Sequence, residues 1–223
     1  LSTLSGGVIG ISAGGDVRIT TLGNTTTLGE LGVAAIAHGS ADLDLDGNTV
    51  SAVNGLGVLG AAHGNVVIQG DGSTVNAVGG ILGISDHGNV WIDSGTVTTT
   101  GVGDEGNGVV GDASEGNVDI DTHGNTTANG DYGVAGYADE GDVSIDLIDT
   151  TVKAVNGVGV LADADGDAVV AGTDSTIVSK NTGIRAFGTN VTVDSGAVTS
   201  APASGVIAVA TGRDALTAPH GNI

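Results

Sequence analysis

The sequence predicts an all-β fold, a right-handed single-stranded parallel β-helix: one β-solenoid domain spanning residues 1–223, with about nine coils of about 25 residues each. Three observations predict it. A glycine followed by Val or Ile recurs at Gly7, Gly32, Gly57, Gly80, Gly108, Gly133, Gly159, Gly183 and Gly205, at spacings of 25, 25, 23, 28, 25, 26, 24 and 22. Self-similarity at a fixed period marks a stack of repeats. Between these glycines, apolar residues alternate over short runs, which is the period of a strand and not of a helix. The 42 glycines, 2% aromatics and absence of Met and Cys exclude a thick core of large side chains, since aromatic residues bury the most area each.

Each coil reads as three short strands. The first runs Val-x-small-x-small, as in Val33-Ala35-Ala37, Val58-Gly60-Ala62, Ile81-Gly83-Ser85, Val134-Gly136-Ala138 and Val160-Ala162-Ala164. Residues two apart share a face, and the leading Val or Ile places that face inside. The second strand follows a Gly-Asn or Gly-Asp turn and points Val17/Ile19, Leu43/Leu45, Val66/Ile68, Val90/Ile92, Val118/Ile120, Val143/Ile145 and Val191/Val193 inward, with Val169/Ala171 as the weakest copy. The third follows turns such as Gly47-Asn48 and Gly124-Asn125. It points Val50, Val75, Val97, Val152, Ile177 and Val198 inward, with Thr26 and Thr127 in the same place. Corner glycines are expected to supply positive φ, a region that Asn also tolerates.

Three strands in one coil cannot pair with one another, so each pairs with the coils above and below, roughly 4.8 Å per step. Nine coils then span on the order of 40 Å, and a right-handed crossover is expected. Residues 102 to 107 lengthen the fourth coil. Pro202 and Pro219 fall at a turn and near the C-terminus, where proline is tolerated.

The GVxxxA, GNVxI and NTVxA blocks of these coils resemble the passenger domains of bacterial autotransporters and related filamentous-haemagglutinin-like exoproteins. The resemblance runs from Gly7 to about Ala210. It implies a secreted or cell-surface right-handed β-helix, and it implies little about ligand, because adhesins, toxins and structural fibres share the pattern.

Charge narrows the function classes. The formal net charge is −21, with five basic residues against 26 acidic ones. Nucleic-acid binding wants a basic stripe, and the same charge disfavours anionic membrane surfaces. No apolar run approaches the roughly 18 residues of a membrane span. Leu1 begins inside repeat-like sequence with neither a charged n-region nor an apolar h-region, so a signal peptide is expected to be absent or removed. Lack of Cys excludes disulfides and thiolate metal sites. Asn-x-Thr at Asn24, Asn125 and Asn190 is read as chance in a Thr-rich chain.

Four surfaces are candidates. The outward side of the first strand carries Ile9, Ile11, Ile36, Leu59, Leu82, Ile84, Val110, Tyr137, Leu161 and Phe187. An apolar stripe of this kind marks a contact face. The second is a column of His38, His63 and His87 in equivalent turns, continued by Glu115 and Glu140. Stacked imidazoles could bind a transition metal, but no carboxylate is expected to complete a close site among the three His coils, and structural turn residues are the preferred reading. The third is acidic: 16 of the 26 acids lie between Asp104 and Asp174. Asp93, Asp121 and Asp146 share an outward column with Asp119 beside it, where calcium could relieve the repulsion with oxygen ligands, or a solvated face keeps the chain soluble. The Asp42-x-Asp44-x-Asp46-Gly47 string imitates an EF-hand start, but its twelfth position is Val53 and not Glu, so the EF-hand is rejected. The fourth is an outward Thr column of Thr25, Thr49, Thr74, Thr96, Thr126, Thr151 and Thr176, with Thr25/Thr27 and Thr96/Thr98 forming Thr-x-Thr pairs like those of ice-binding solenoids.

Strings such as Gly10-Ile11-Ser12-Ala13-Gly14 match catalytic motifs only where a helix follows, and none is expected here. The chain therefore reads as a non-enzymatic stalk, adhesin segment or fibre subunit acting through its surface. The alternatives are ice binding and, less favoured, a polysaccharide-active β-helix using Asp119, Asp121 and Asp146. No cofactor is expected besides calcium. Partners are expected to be a second copy, the continuation of a longer chain, or a glycan or protein at a cell surface. Neither end shows a polar cap, so the natural chain is expected to continue or to stack end to end.

Overall fold

A computed structural model of the chain describes residues 6–212; Pro219 lies outside them. Among the described residues the chain winds as a parallel β-solenoid of about eight turns, and the ninth Gly-Val opens the last strand described, Val206–Ala210. Strands of one wall pair only with the same wall of neighbouring coils, always parallel. Val33 pairs with Val8 and Val58, Ile68 with Leu43 and Ile92, and Val75 with Val50 and Val97. The three walls are separated by corners, and one corner carries a 3-10 turn, Gly103–Gly106.

The interior is a set of aliphatic ladders. Val33, Val58, Val109, Val134 and Val160 line the first wall, and Leu43, Ile68, Ile92, Ile120 and Ile145 the second, all without solvent exposure. Two close contacts shape each coil. A Cβ added at the head glycine of a first-wall strand would strike a β-branched side chain of the third wall: Val50 at Gly32, Val75 at Gly57, Val97 at Gly80 and Ile177 at Gly159. It would also lie between 1.9 and 3.0 Å from the carbonyl oxygen of the next coil's head glycine. The recurring glycine is thus required by close approach and not by backbone torsion. Among the described glycines only Gly47, Gly72 and Gly103 have positive φ, joined by Asp46 and Asp149, which corrects the expectation that corner glycines serve mainly to reach that region.

The second contact joins the first and second walls. A Cβ at Gly10, Gly60, Gly83, Gly111 or Gly136 would come within 2.8 Å of Val17, Val66, Val90, Val118 or Val143 respectively. Where the first wall carries Ala at this position, as at Ala35 and Ala162, the second wall carries Ala41 and Ala168 in place of Val. Small faces large, and Ala faces Ala. The eighth coil, with Ala186 and Val191, departs from the pattern and nothing in the structure explains it.

Two registers differ from expectation by one residue. Ala168 and Val170 pair with Val143 and Ile145 and are buried, so Val169 and Ala171 face outward. In the third wall, Thr25 pairs with Val50, and Thr126 with Val97 and Val152. Thr25 and Thr126 therefore point inward, and Thr26 and Thr127 outward. The threonine methyls explain the tolerance: Cγ2 of Thr25 and Thr126 meets Gly7 and Gly108 as a Val methyl would. The Thr126 hydroxyl is left buried with no hydrogen-bond partner, which costs about 1–3 kcal/mol.

Corners are held by side-chain oxygens bonding up the stack. The Oδ1 atoms of Asn65, Asn89, Asn117 and Asp142 accept the backbone N–H of Asn89, Asn117, Asp142 and Asp167 in turn, at 2.7–2.9 Å. Asn24 and Asn125 do the same for Thr49 and Thr151.

Gly60→Ala should destabilise the fold by about 1–3 kcal/mol through overpacking. Val66→Ala, read by urea denaturation in a double-mutant cycle, should recover a substantial part of that loss, as in the Ala35/Ala41 coil. Val97→Ala should not rescue Gly80→Ala, because the obstacle there is the Gly108 carbonyl, 1.9 Å from the added atom.

Candidate functional site

The first wall presents two outward columns in register. One runs Ile9, Ala34, Leu59, Leu82, Val110, Ala135, Leu161, Arg185, Ile207. The other runs Ile11, Ile36, Ala61, Ile84, Asp112, Tyr137, Asp163, Phe187, Val209. Ile11 is 63% exposed. Ile9, Ile36, Leu59, Leu82, Ile84, Val110, Tyr137 and Phe187 are half-buried by neighbours in their own columns. Leu161 is corrected: at 4% exposure it is covered and offers no surface. Arg185 lies over the Phe187 ring, 5.4 Å from its centroid.

A groove of about 630 Å3 opens beside these columns, its lining running from Glu30 and Leu56 to Tyr132 and Tyr137. Leu56, Leu82, Val110, Tyr132 and Tyr137 form its apolar walls. The column at its floor runs from Leu31 to Leu56 and then to Gly79, which carries no side chain. The lengthened fourth coil supplies the rim through Asp104, Glu105 and Asn107. Gly103, at φ +60, turns the chain into the rim helix. The rim is pinned at several points. The Thr99 hydroxyl donates to the Gly106 carbonyl, Gly101 N–H to the Val78 carbonyl at 2.9 Å and Gly130 N–H to the Gly106 carbonyl at 2.9 Å. Asn107 Oδ1 accepts the N–H groups of Asp131 at 3.0 Å and Tyr132 at 2.9 Å, which fixes the start of the strand bearing both tyrosines. The two rings meet edge to face at 6.1 Å. Burial, then the hydrogen bond with Tyr132, pushes the Tyr137 phenol well above its ordinary range, so it stays protonated. The groove itself was not foreseen; its signal was the one interval of 28 in a series near 25.

The second wall carries the acids. Asp93, Asp121 and Asp146 share one register column, and Asp119 stands two residues from Asp121 on the same face. Burial raises the carboxyl pKa of Asp93, Asp119 and Asp121, with neighbouring aspartates adding to it. Asp112 on the first wall is raised by burial and then by Asp139. His123, which sequence reasoning missed, places Nε2 3.6 Å from Asp93 Oδ1, an ion-pair distance when protonated but too long for a hydrogen bond. Among the described residues, no three His, Asp or Glu side chains converge as a metal's ligands would. Asp93, Asp121 and Asp146 instead stand along a ladder, one strand step apart, with Asp119 beside Asp121.

His38, His63 and His87 do stack, with ring centroids 5.2 and 4.2 Å apart. Carboxylates do approach them, although among the described residues no three His, Asp or Glu groups form a metal site. Asp86 Oδ2 lies 3.3 Å from His63 Nδ1, and Glu115 contacts His87 Nδ1. These groups are about half exposed and hold the corner as surface pairs. The Thr face is corrected as well. With Thr25 and Thr126 inward, Thr96/Thr98 is the one Thr-x-Thr pair on the outer side of the described third-wall strands.

Comparison with protein-family models, curated proteins and solved structures finds no match. Among the described residues no helix is long and apolar enough to cross a membrane.

The raised acids fix the sign of a pH effect. An aspartate that is protonated more easily folded than unfolded loses stability as pH rises through the interval between its two pKa values. Asp121→Asn should therefore raise the urea midpoint at neutral pH and leave it unchanged below about pH 3, where the native carboxyl is protonated in both states.

Proposed function

We propose that the chain is an extracellular structural or adhesive β-solenoid that acts through the outer face of its first wall. The observation that carries this reading is the uncharged strip over the first four coils, Ile9 and Ile11, Ile36, Leu59 and Ala61, Leu82 and Ile84, with Ala34 buried between its neighbours. It lies on a chain of net charge −21. Register locks these side chains into straight columns on a flat wall, and contiguous apolar surface of this kind is characteristic of contact faces. Resemblance to the exported solenoids named above supports a place outside the cell.

The occupant that fits best is the same wall of a second copy. Two bodies of this charge repel over their acidic surfaces and approach closely where neither carries acids; of the two walls that meet this condition, the third is polar, with Thr, Ser and Asn columns, and the strip is the apolar one. Asp112 and Asp163 end the uncharged stretch of the second column and set the register of such a contact.

Light scattering at physiological salt should show a mass that rises with concentration. Ile36→Glu combined with Ile84→Glu should return the chain to a monomer while leaving its circular dichroism unchanged. A concentration-independent monomer from the unaltered chain would remove the self-association on which the reading rests.

A further inference from the structure

We propose that the groove beside the fourth coil binds a small organic cation with an apolar body, an aryl- or alkylammonium. The groove adjoins the uncharged strip and shares Leu82 with it, but its test reads ligand binding and not self-association. It starts from the one break in the repeat. Insertions in a solenoid project from a face without disturbing the stack, and such faces are frequently the binding ones. Here the insertion builds one side of a concave site of about 630 Å3, within the size range of small-molecule pockets.

The lining dictates the chemistry. Leu56, Leu82, Val110 and the two tyrosines form an apolar wall, and Glu30, Asp104 and Glu105 stand around it. None of the lining residues is basic. An anionic ligand would meet three carboxylates with no counter-charge, and a neutral apolar ligand would leave them unused. A cation places its charge at the rim and its body against the wall. The edge-to-face tyrosine pair adds a ring face, which attracts a cation through its quadrupole. The walls are also fixed in advance. Asn107 ties the rim to the backbone of Tyr132, and Tyr137 belongs to a paired strand. Little ordering is left for the ligand to impose.

The test uses three probes with one body: phenylbutylammonium, phenylbutanol and phenylbutyrate. Both tyrosines of the chain line the groove and its single Trp91 lies on the second wall, so tyrosine ring shifts in NMR titrations localise binding. Phenylbutylammonium should bind about tenfold or more tightly than phenylbutanol at low salt, with the margin shrinking as salt rises, and phenylbutyrate should not bind. Asp104→Asn with Glu105→Gln should remove most of the cation's advantage over the alcohol, and adding Glu30→Gln should remove the rest, without affecting the alcohol itself. Val110→Trp, checked for an unchanged dichroism spectrum, should fill the groove and abolish all tyrosine shifts. The proposal is overturned if the ammonium does not bind the unaltered chain, if cation and alcohol bind equally, or if binding survives in a folded Val110→Trp chain.

Discussion

Coil-on-coil pairing in this protein requires that backbone meet backbone without an intervening Cβ. At every head glycine from Gly7 to Gly183 an added Cβ would crowd the carbonyl oxygen of the glycine one coil on. The same atom would enter the space of a β-branched side chain crossing from the third wall. One missing methyl group per turn therefore serves two ends. It lets consecutive coils share hydrogen bonds, and it lets the third wall close against the first. A second glycine or alanine does the same for the second wall. The core that results has no aromatic side chains and gains its stability from many small contacts repeated between neighbours, in the manner of a one-dimensional stack.

That construction separates the interior from the surface. Because alternate residues point inward and the inward set is restricted to small and aliphatic types, each wall's outer columns are free to vary. The first wall uses this freedom for aliphatic rows, the second for aspartates, and the third for Thr, Ser, Asn and Lys153. The acids have a cost. Burial, and then the charges of Asp119, Asp146 and Asp93, holds the Asp121 carboxyl above its ordinary pKa. The first-wall groove arises differently, from a local departure in which Gly79 removes a side chain and the chain between Gly101 and Asn107 detours around the gap.

Periodicity made the architecture, the three walls and most inward positions legible in the sequence, because glycine spacing and alternation report the same geometry twice. The third-wall failures have a common cause. The Gly-Asn dipeptides at Asn24 and Asn125 look like the Gly47-Asn48 turn, and aligning on them shifts the third wall by one residue. Ala52, Ala77, Ala128 and Ala154 mark the true frame, since the small inward residue follows the β-branched one by two. The same holds for Ala168, which looks too small to be an inward residue until its partner Ala162 is considered. The His–carboxylate contacts and the groove depended on corner length, which sequence spacing gives as a number but not as a direction. Surface columns followed from register alone, whereas coverage by neighbours, as at Leu161, did not.

The central claim is that successive coils lie directly over one another at a constant rise. Pulsed electron–electron distance measurement on exposed third-wall positions tests it most directly. Thr26, Asn76, Lys153 and Thr199 fall in one register column through Ser51, Thr98, Thr127 and Val178. Spin labels on Thr26→Cys with Lys153→Cys, and on Asn76→Cys with Thr199→Cys, each span five steps and should give the same separation, about 24 Å at 4.8 Å per step. Thr26→Cys with Thr199→Cys spans seven and should read about 34 Å. Unequal five-step distances, or a seven-step distance no longer than the five-step ones, would contradict the stack.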